Sequence, residues 1–83
     1  AVVLQRVQVG ALDSEKEARQ RLEAARDHAR GMLGKADPFT EPVITRGDRK
    51  LYRARFAGLE RHEAEAVCRR LKRSDMSCFT VRN

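Results

Sequence analysis

The chain has 83 residues, of which 41% are hydrophobic and 36% charged, a composition typical of one small folded domain. Such a domain has too little volume for a deep, enclosed active site, and its longest apolar run, Ala1 to Leu4, excludes a membrane-spanning segment. The net charge of +6 favours an anionic partner: nucleic acid, an acidic polysaccharide or a membrane surface.

The beginning of the chain predicts a strand followed by a helix. β-branched residues alternate over Val2 to Gly10, as is typical of a strand. We expect Val3, Val7 and Val9 on its inner face and Leu4, Arg6 and Gln8 on its outer face. We expect Asp13 or Ser14 to be the N-cap of the helix, and Ser14 with Glu17 fits a capping box. Apolar residues then repeat at helical spacing as far as Leu33. Gly34 predicts the end of this helix.

The middle of the chain predicts a hairpin. Its prolines exclude helix, so we expect a loop over Lys35 to Thr40 and an edge strand over Thr40 to Arg46. Gly47 and Asp48 predict a turn before a third strand over Lys50 to Phe56. In that strand we expect Tyr52, Ala54 and Phe56 on the inner face and Leu51, Arg53 and Arg55 on the outer face.

The last part predicts a second helix over Arg61 to Arg73 and a final strand over Ser77 to Arg82. The helix residues expected to face inward are Ala64, Val67, Cys68 and Leu71. Because the chain opens in the middle of a strand, we expect it to be a piece of a larger protein, with residues 1–83 forming a single domain.

One strand–helix unit is present twice, as R-V-Q-V-G-A-L-D-S-E-K-E from Arg6 and as Y-R-A-R-F-A-G-L-E-R-H-E-A from Tyr52. Two such units related by a pseudo-twofold axis predict an α+β fold of the ferredoxin or RNP type, with the order β-α-β-β-α-β. Its four-stranded antiparallel sheet has both helices on one face. The other face is left open and is the natural place for a ligand.

The predicted open face carries Gln8 and three arginines, Arg6, Arg53 and Arg55. A guanidinium forms fork-shaped hydrogen bonds to carboxylates, and an amide both donates and accepts, so this set suits an acidic, hydroxyl-rich polymer. Arg46 is a further candidate whose strand register is unknown. We find no catalytic motif and expect no metal site or cofactor, because Cys68 and Cys78 lack a CxxC partner.

The turn V-Q-V-G-A and its repeat Y-R-A-R-F-A-G-L resemble the SPOR domain, over essentially the whole chain. The resemblance implies a non-catalytic module of the bacterial cell envelope that binds peptidoglycan, preferring glycan strands without stem peptides, at sites of septal wall remodelling. It also implies that Gln8 contacts the glycan. The segments P-F-T-E-P-V, L-Y-R-A-R-F-A-G and S-D-M-S-C resemble the C-terminal domain of some alphaproteobacterial D-alanyl-D-alanine carboxypeptidases.

The periplasmic location that the resemblance implies suggests a disulfide between Cys68 and Cys78. That bridge requires Cys78, Thr80 and Arg82 on the helix side and turns Phe79 and Val81 to the open face, where Phe79 is available to stack on a sugar ring. The alternative register buries Phe79 and Val81 and exposes Cys78. The residues alone leave both open.

Two other functions fit the same topology. A single-stranded RNA-binding domain of the RRM type shares the element order, but it stacks bases on aromatic residues of its first and third strands. The corresponding open-face positions here hold Arg6, Gln8, Arg53 and Arg55. A dimerisation domain would pair two open faces, which an arginine-rich surface disfavours, so we expect a monomer without a specific nucleic-acid partner.

Overall fold

The computed structural model describes residues 3–82 and has the predicted element order. The elements are β1 (Gln5–Leu12), α1 (Glu15–His28), β2 (Asp37–Ile44), β3 (Lys50–Leu59), α2 (Arg61–Arg73) and β4 (Phe79–Val81). The strands form one antiparallel sheet in the order β2-β3-β1-β4. Both helices pack on the same face of the sheet, which confirms the predicted architecture. The predicted strand start at Val2 lies outside the described residues.

The core lies between the sheet and the helices. Its fully buried strand residues are Val7, Val9, Ala54 and Phe56, as predicted, and Tyr52 is half-buried against them. The inward prediction for Val3 is wrong, because this residue is 70% exposed. β1 begins only at Gln5, so the alternation that turns Val7 inward does not extend back to Val3.

The central strands β1 and β3 each contain a bulge. In β1 the extra residue is Val9, and in β3 residues 57 and 58 lie opposite a single residue of β1. Each bulge shifts the alternation of side chains by one residue, which returns Leu12 and Leu59 to the core. Both strands therefore continue to these leucines. The sequence pattern predicts their ends at Gly10 and Phe56 instead.

Helix α1 begins after Ser14, one of the two predicted N-caps, and ends earlier than predicted. The hydroxyl of its N-cap, Ser14, accepts a hydrogen bond from the Glu17 backbone N–H at 3.1 Å. The helix ends at His28, so the predicted stop at Gly34 is wrong. Gly31 adopts φ 83°, a left-handed conformation that interrupts a helix. Leu33 is nevertheless buried, now from a turn, which explains why the apolar spacing continues past the end of the helix.

Strand β2 is an edge strand, as its prolines predict, but its bounds differ from the prediction. It starts at Asp37 rather than Thr40 and ends at Ile44 rather than Arg46. All eight of its residues pair with β3. The segment expected to be a loop therefore supplies half of the strand.

Helix α2 has the predicted bounds and the predicted inward residues. Its Cys68 forms a disulfide with Cys78, which is buried on the helix side just before β4. β4 is shorter than predicted and pairs with β1, with Phe79 opposite Gln8 and Val81 opposite Arg6. Of the two registers that the sequence leaves open, the one with the bridge is the one observed.

Candidate functional site

The open face is the sheet face opposite the helices. Its centre is a polar pair, Gln8 of β1 and Arg55 of β3, which lie directly opposite each other. Arg55 Nε donates a hydrogen bond to Gln8 Oε1 at 2.9 Å. Each residue is only 8% exposed, although no helix covers this face. A buried polar pair of this kind is held in one conformation by its hydrogen bond and its neighbours.

The pair belongs to a row of side chains that crosses all four strands. Phe39 of β2 lies opposite Arg55, and Phe79 of β4 lies opposite Gln8. We call Phe39, Arg55, Gln8 and Phe79 the cross-strand row. Phe39 is half-buried and Phe79 is 49% exposed. The row thus has two polar residues in the middle and an aromatic ring at each end.

A second group of charges lies beside the row. Arg53 Nη1 is 3.2 Å from Glu41 Oε1, and Arg55 Nη1 is 3.6 Å from the same oxygen. Glu41 and Arg53 are opposite each other on β2 and β3, and both side chains are 39% exposed. One carboxylate therefore lies between two guanidiniums on the open face.

The surroundings of Arg55 disfavour its charge in part. Burial lowers the pKa of Arg55, Arg53 lowers it further, Glu41 opposes the shift, and Arg6 adds to it. An arginine remains protonated at physiological pH despite such shifts. Arg55 is therefore a partly desolvated cation, and a ligand carboxylate beside it would be attracted more strongly than by an arginine in water.

The structure brings five of the six predicted site residues onto the open face. Arg6 is one of them, and it lies next to Gln8 along β1 with Val81 of β4 opposite. Arg46 is the exception: it lies in the hairpin loop after β2, not on a strand.

Two residues of this face, Phe39 and Glu41, were not predicted from the sequence. Phe39 lies in the segment for which the sequence predicts a loop, and Glu41 lies in a strand whose register is obscured by the neighbouring proline. The sequence of β2 offers no apolar–polar alternation that would place them, because apolar and charged residues share the open side and no residue of the strand is fully buried.

Within residues 3–82, neither a cluster of metal ligands nor a membrane-spanning helix is found. No group of histidine, cysteine and carboxylate side chains converges there as a metal site would need. Both cysteines are in the disulfide. Neither helix in this range is long and apolar enough to span a membrane.

Comparison with known proteins identifies the fold. Residues 5–82 match the SPOR domain. The structure is similar to the crystal structure of the RlpA SPOR domain from Pseudomonas aeruginosa, with a TM-score of 0.70 and 21% identity over 95% of this chain and 99% of that one. It is also similar to the solution structure of the peptidoglycan-binding domain of the B. subtilis cell wall lytic enzyme CwlC.

That second similarity has a TM-score of 0.65 and 18% identity, over 100% of this chain and 92% of the other. Among curated proteins, no match to the chain was found. The SPOR match spans nearly the whole sequence and agrees with the repeated strand–helix unit, the sheet order and the uncovered sheet face. The chain is a member of the SPOR domain family.

Proposed function

We propose that this domain is a non-catalytic module that binds peptidoglycan through its open face. The observation that carries the proposal is the cross-strand row, in which the buried Gln8–Arg55 pair lies between two phenylalanines. The CwlC domain, similar to it in structure, is a peptidoglycan-binding domain. The proposal extends that property to this chain.

The chemistry of the row suits a glycan. Four strands at the usual spacing span about 14 Å, which is comparable to the length of a short oligosaccharide lying across them. Phenylalanine rings offer an apolar surface to the C–H faces of sugar rings. The bond from Arg55 uses Gln8 Oε1, so the amide NH2 group of Gln8 is the part that can donate to a sugar hydroxyl or acetamido oxygen.

The arginines suit a glycan without stem peptides. Removal of the peptide leaves a free lactyl carboxylate on each N-acetylmuramic acid. A guanidinium binds a carboxylate through charge-assisted hydrogen bonds, so Arg55, Arg53 and Arg6 favour such denuded strands over strands that still carry peptides.

We infer a periplasmic, monomeric domain of a larger cell-envelope protein, directed to the septum or wall. The disulfide supports an oxidising compartment such as the periplasm. The sequence segments that resemble alphaproteobacterial D-alanyl-D-alanine carboxypeptidases suggest that the parent is such an enzyme. The comparisons give no support to the alternative of RNA binding, and β1 and β3 present Gln8, Arg53 and Arg55 where an RNA-binding sheet presents aromatic residues.

Co-sedimentation with cell-wall sacculi tests the proposal. The wild-type domain is expected to pellet with sacculi, and more of it after an amidase has removed the stem peptides. Gln8→Ala and Gln8→Glu are both expected to pellet at least about fivefold less, because each removes the amide donor at the centre of the row. Gln8→Glu keeps the shape of the side chain and its bond to Arg55, so this variant is expected to stay folded. Its loss of binding would therefore report the loss of the amide donor.

The matched control is Gln20→Ala, which makes the same change at an exposed position of α1, on the other side of the sheet. It should pellet like the wild type. Wild-type protein that stays in the supernatant with both kinds of sacculi would end the peptidoglycan proposal and direct attention to single-stranded RNA. If Gln8→Glu pellets as much as the wild type, the glycan binds somewhere other than the cross-strand row.

A further inference from the structure

Glu41 is the one acidic side chain among the charged groups described above on the open face. Its Oε1 lies 3.2 Å from Arg53 Nη1 and 3.6 Å from Arg55 Nη1. It comes from the edge strand β2, opposite Arg53 and adjacent to the cross-strand row. A carboxylate of the protein thus already occupies a position in which a carboxylate of a ligand would meet the same two guanidiniums.

This ion pair is weak enough for a ligand to compete with it. Glu41 and Arg53 are each 39% exposed, and ion pairs between such exposed groups add little to stability. Arg55 is held independently of Glu41, through its Nε bond to Gln8, so its position does not depend on the pair. Its bond to Gln8 uses only Nε, so the N–H groups of the two terminal nitrogens remain as donors.

We propose that Glu41 is a specificity-determining residue of the glycan site, an internal counter-ion that reduces the preference of Arg53 and Arg55 for carboxylate-bearing strands. This inference rests on the proposed function, since it concerns the same site. A ligand carboxylate that approaches the two arginines meets the negative charge of Glu41 beside them and shares their N–H donors with it. A neutral sugar meets no such repulsion.

Glu41 therefore limits how strongly the site prefers strands that carry carboxylates over neutral strands. With Glu41 present, the two arginines carry one net positive charge between them instead of two. Glu41 therefore weakens binding of every carboxylate-bearing polymer, denuded glycan included, and the neutral contacts of the cross-strand row supply a larger share of the affinity. Repulsion built into a site in this way is a general route to specificity, here between charged and neutral strands.

A matched pair of ligands isolates this effect. One is a denuded glycan strand with free lactyl carboxylates, and the other is the same strand after conversion of those carboxylates to neutral methyl amides. The dissociation constants of both are measured by calorimetry for the wild type, Glu41→Gln and Arg53→Gln. The quantity compared is the preference ratio, the dissociation constant of the amide strand divided by that of the acid strand.

In Glu41→Gln the preference ratio is expected to rise about threefold to tenfold, because one repulsive charge is removed from the site. The gain should appear as tighter binding of the acid strand, with the amide strand unchanged. Arg53→Gln is expected to lower the ratio below that of the wild type. The control Glu23→Gln, an exposed position of α1, makes the same change in net charge on the other side of the sheet and should leave the ratio unchanged.

The outcomes separate this inference from the proposed function. If the wild type binds both strands and the ratio in Glu41→Gln equals that of the wild type, the role of Glu41 is overturned while glycan binding stands. An equal rise in Glu23→Gln would also overturn it, since overall charge would then explain the effect. A wild type that binds neither strand refutes the proposed function itself.

Discussion

The pair of Gln8 and Arg55 is pre-organised for binding. Both are buried on a face that carries no helix, and each restricts the other through one hydrogen bond of 2.9 Å. A ligand that binds there does not have to order these side chains first, which lowers the entropic cost of binding. Among residues 3–82, no buried side-chain nitrogen or oxygen lacks a hydrogen bond, so the pair is accommodated without an unsatisfied group.

Gly10 is a residue at which the fold has little room for a side chain. A Cβ there would lie 3.1 Å from Cδ2 of Leu12 in the same strand and 3.3 Å from Cγ of Arg21 in α1. Gly10→Ala is therefore expected to lower the free energy of unfolding by about 1–2 kcal/mol, as overpacking does. Urea denaturation followed by circular dichroism measures the change.

Gly34→Ala is the matched control for that prediction. A Cβ at Gly34 meets nothing within 4 Å in the part of the chain that the structure describes, and its φ is not positive. Its stability should stay the same or rise by up to about 1 kcal/mol. Equal stabilities of the two variants would show that the packing of α1 on the bulge tolerates a methyl group.

The open-face residues were predictable to different degrees. Gln8 and Arg55 follow from the alternation of β1 and β3, because a buried strand face with valine or phenylalanine at every second position fixes the side of the residues between. Glu41 does not follow, because Pro38 and Pro42 flank it and no core residue of β2 sets the register. Only the pairing of β2 with β3 places Glu41 beside Arg53, and this pairing is a property of the folded sheet that the sequence of β2 does not reveal.

Among the elements, β4 gains its orientation from a covalent bond. Hydrophobicity alone would bury Phe79 and Val81, whereas the disulfide from α2 holds Cys78 on the helix side and turns Phe79 to the open face. The sequence could not decide between these registers, since a three-residue strand offers too short a pattern. The bridge therefore contributes to the site as well as to stability.

Removal of this bridge is expected to destabilise the domain by about 2.5–3 kcal/mol. The two cysteines are 10 residues apart, and the chain-entropy relation gives about that value for a loop of this size. The double variant Cys68→Ala/Cys78→Ala should unfold at a lower urea concentration than the wild type. Dithiothreitol should lower the wild-type midpoint towards that of the variant and leave the variant unchanged. The assignment of the bridge would be contradicted if wild-type protein refolded with dithiothreitol had the same urea midpoint as wild-type protein refolded without it.

For the molecule as a whole, the positive charges that give the net charge of +6 lie on both the sheet and the helices. The end of α2 carries four exposed cations, Arg69, Arg70, Lys72 and Arg73. Arg69 and Lys72 line a surface pocket with Phe79, whereas that pocket does not include Arg70 and Arg73. On the open face, by contrast, Glu41 neutralises part of the charge of Arg53 and Arg55. Binding of a polyanion by the whole surface and binding of a glycan by the open face should therefore differ in their response to salt.

Between 50 and 200 mM NaCl, affinity for single-stranded RNA is expected to fall about tenfold or more, because each phosphate contact releases counter-ions. Affinity for denuded glycan should fall less than about fivefold, since its carboxylates are sparser and neutral contacts from Gln8 and the phenylalanines persist. Fluorescence anisotropy measures both affinities.

The double variant Arg70→Ala/Arg73→Ala should weaken RNA binding and leave glycan binding unchanged, because both positions lie on α2, away from the open face. Parallel salt dependences, with equal losses in that variant, would mean that the glycan is bound only as a polyanion.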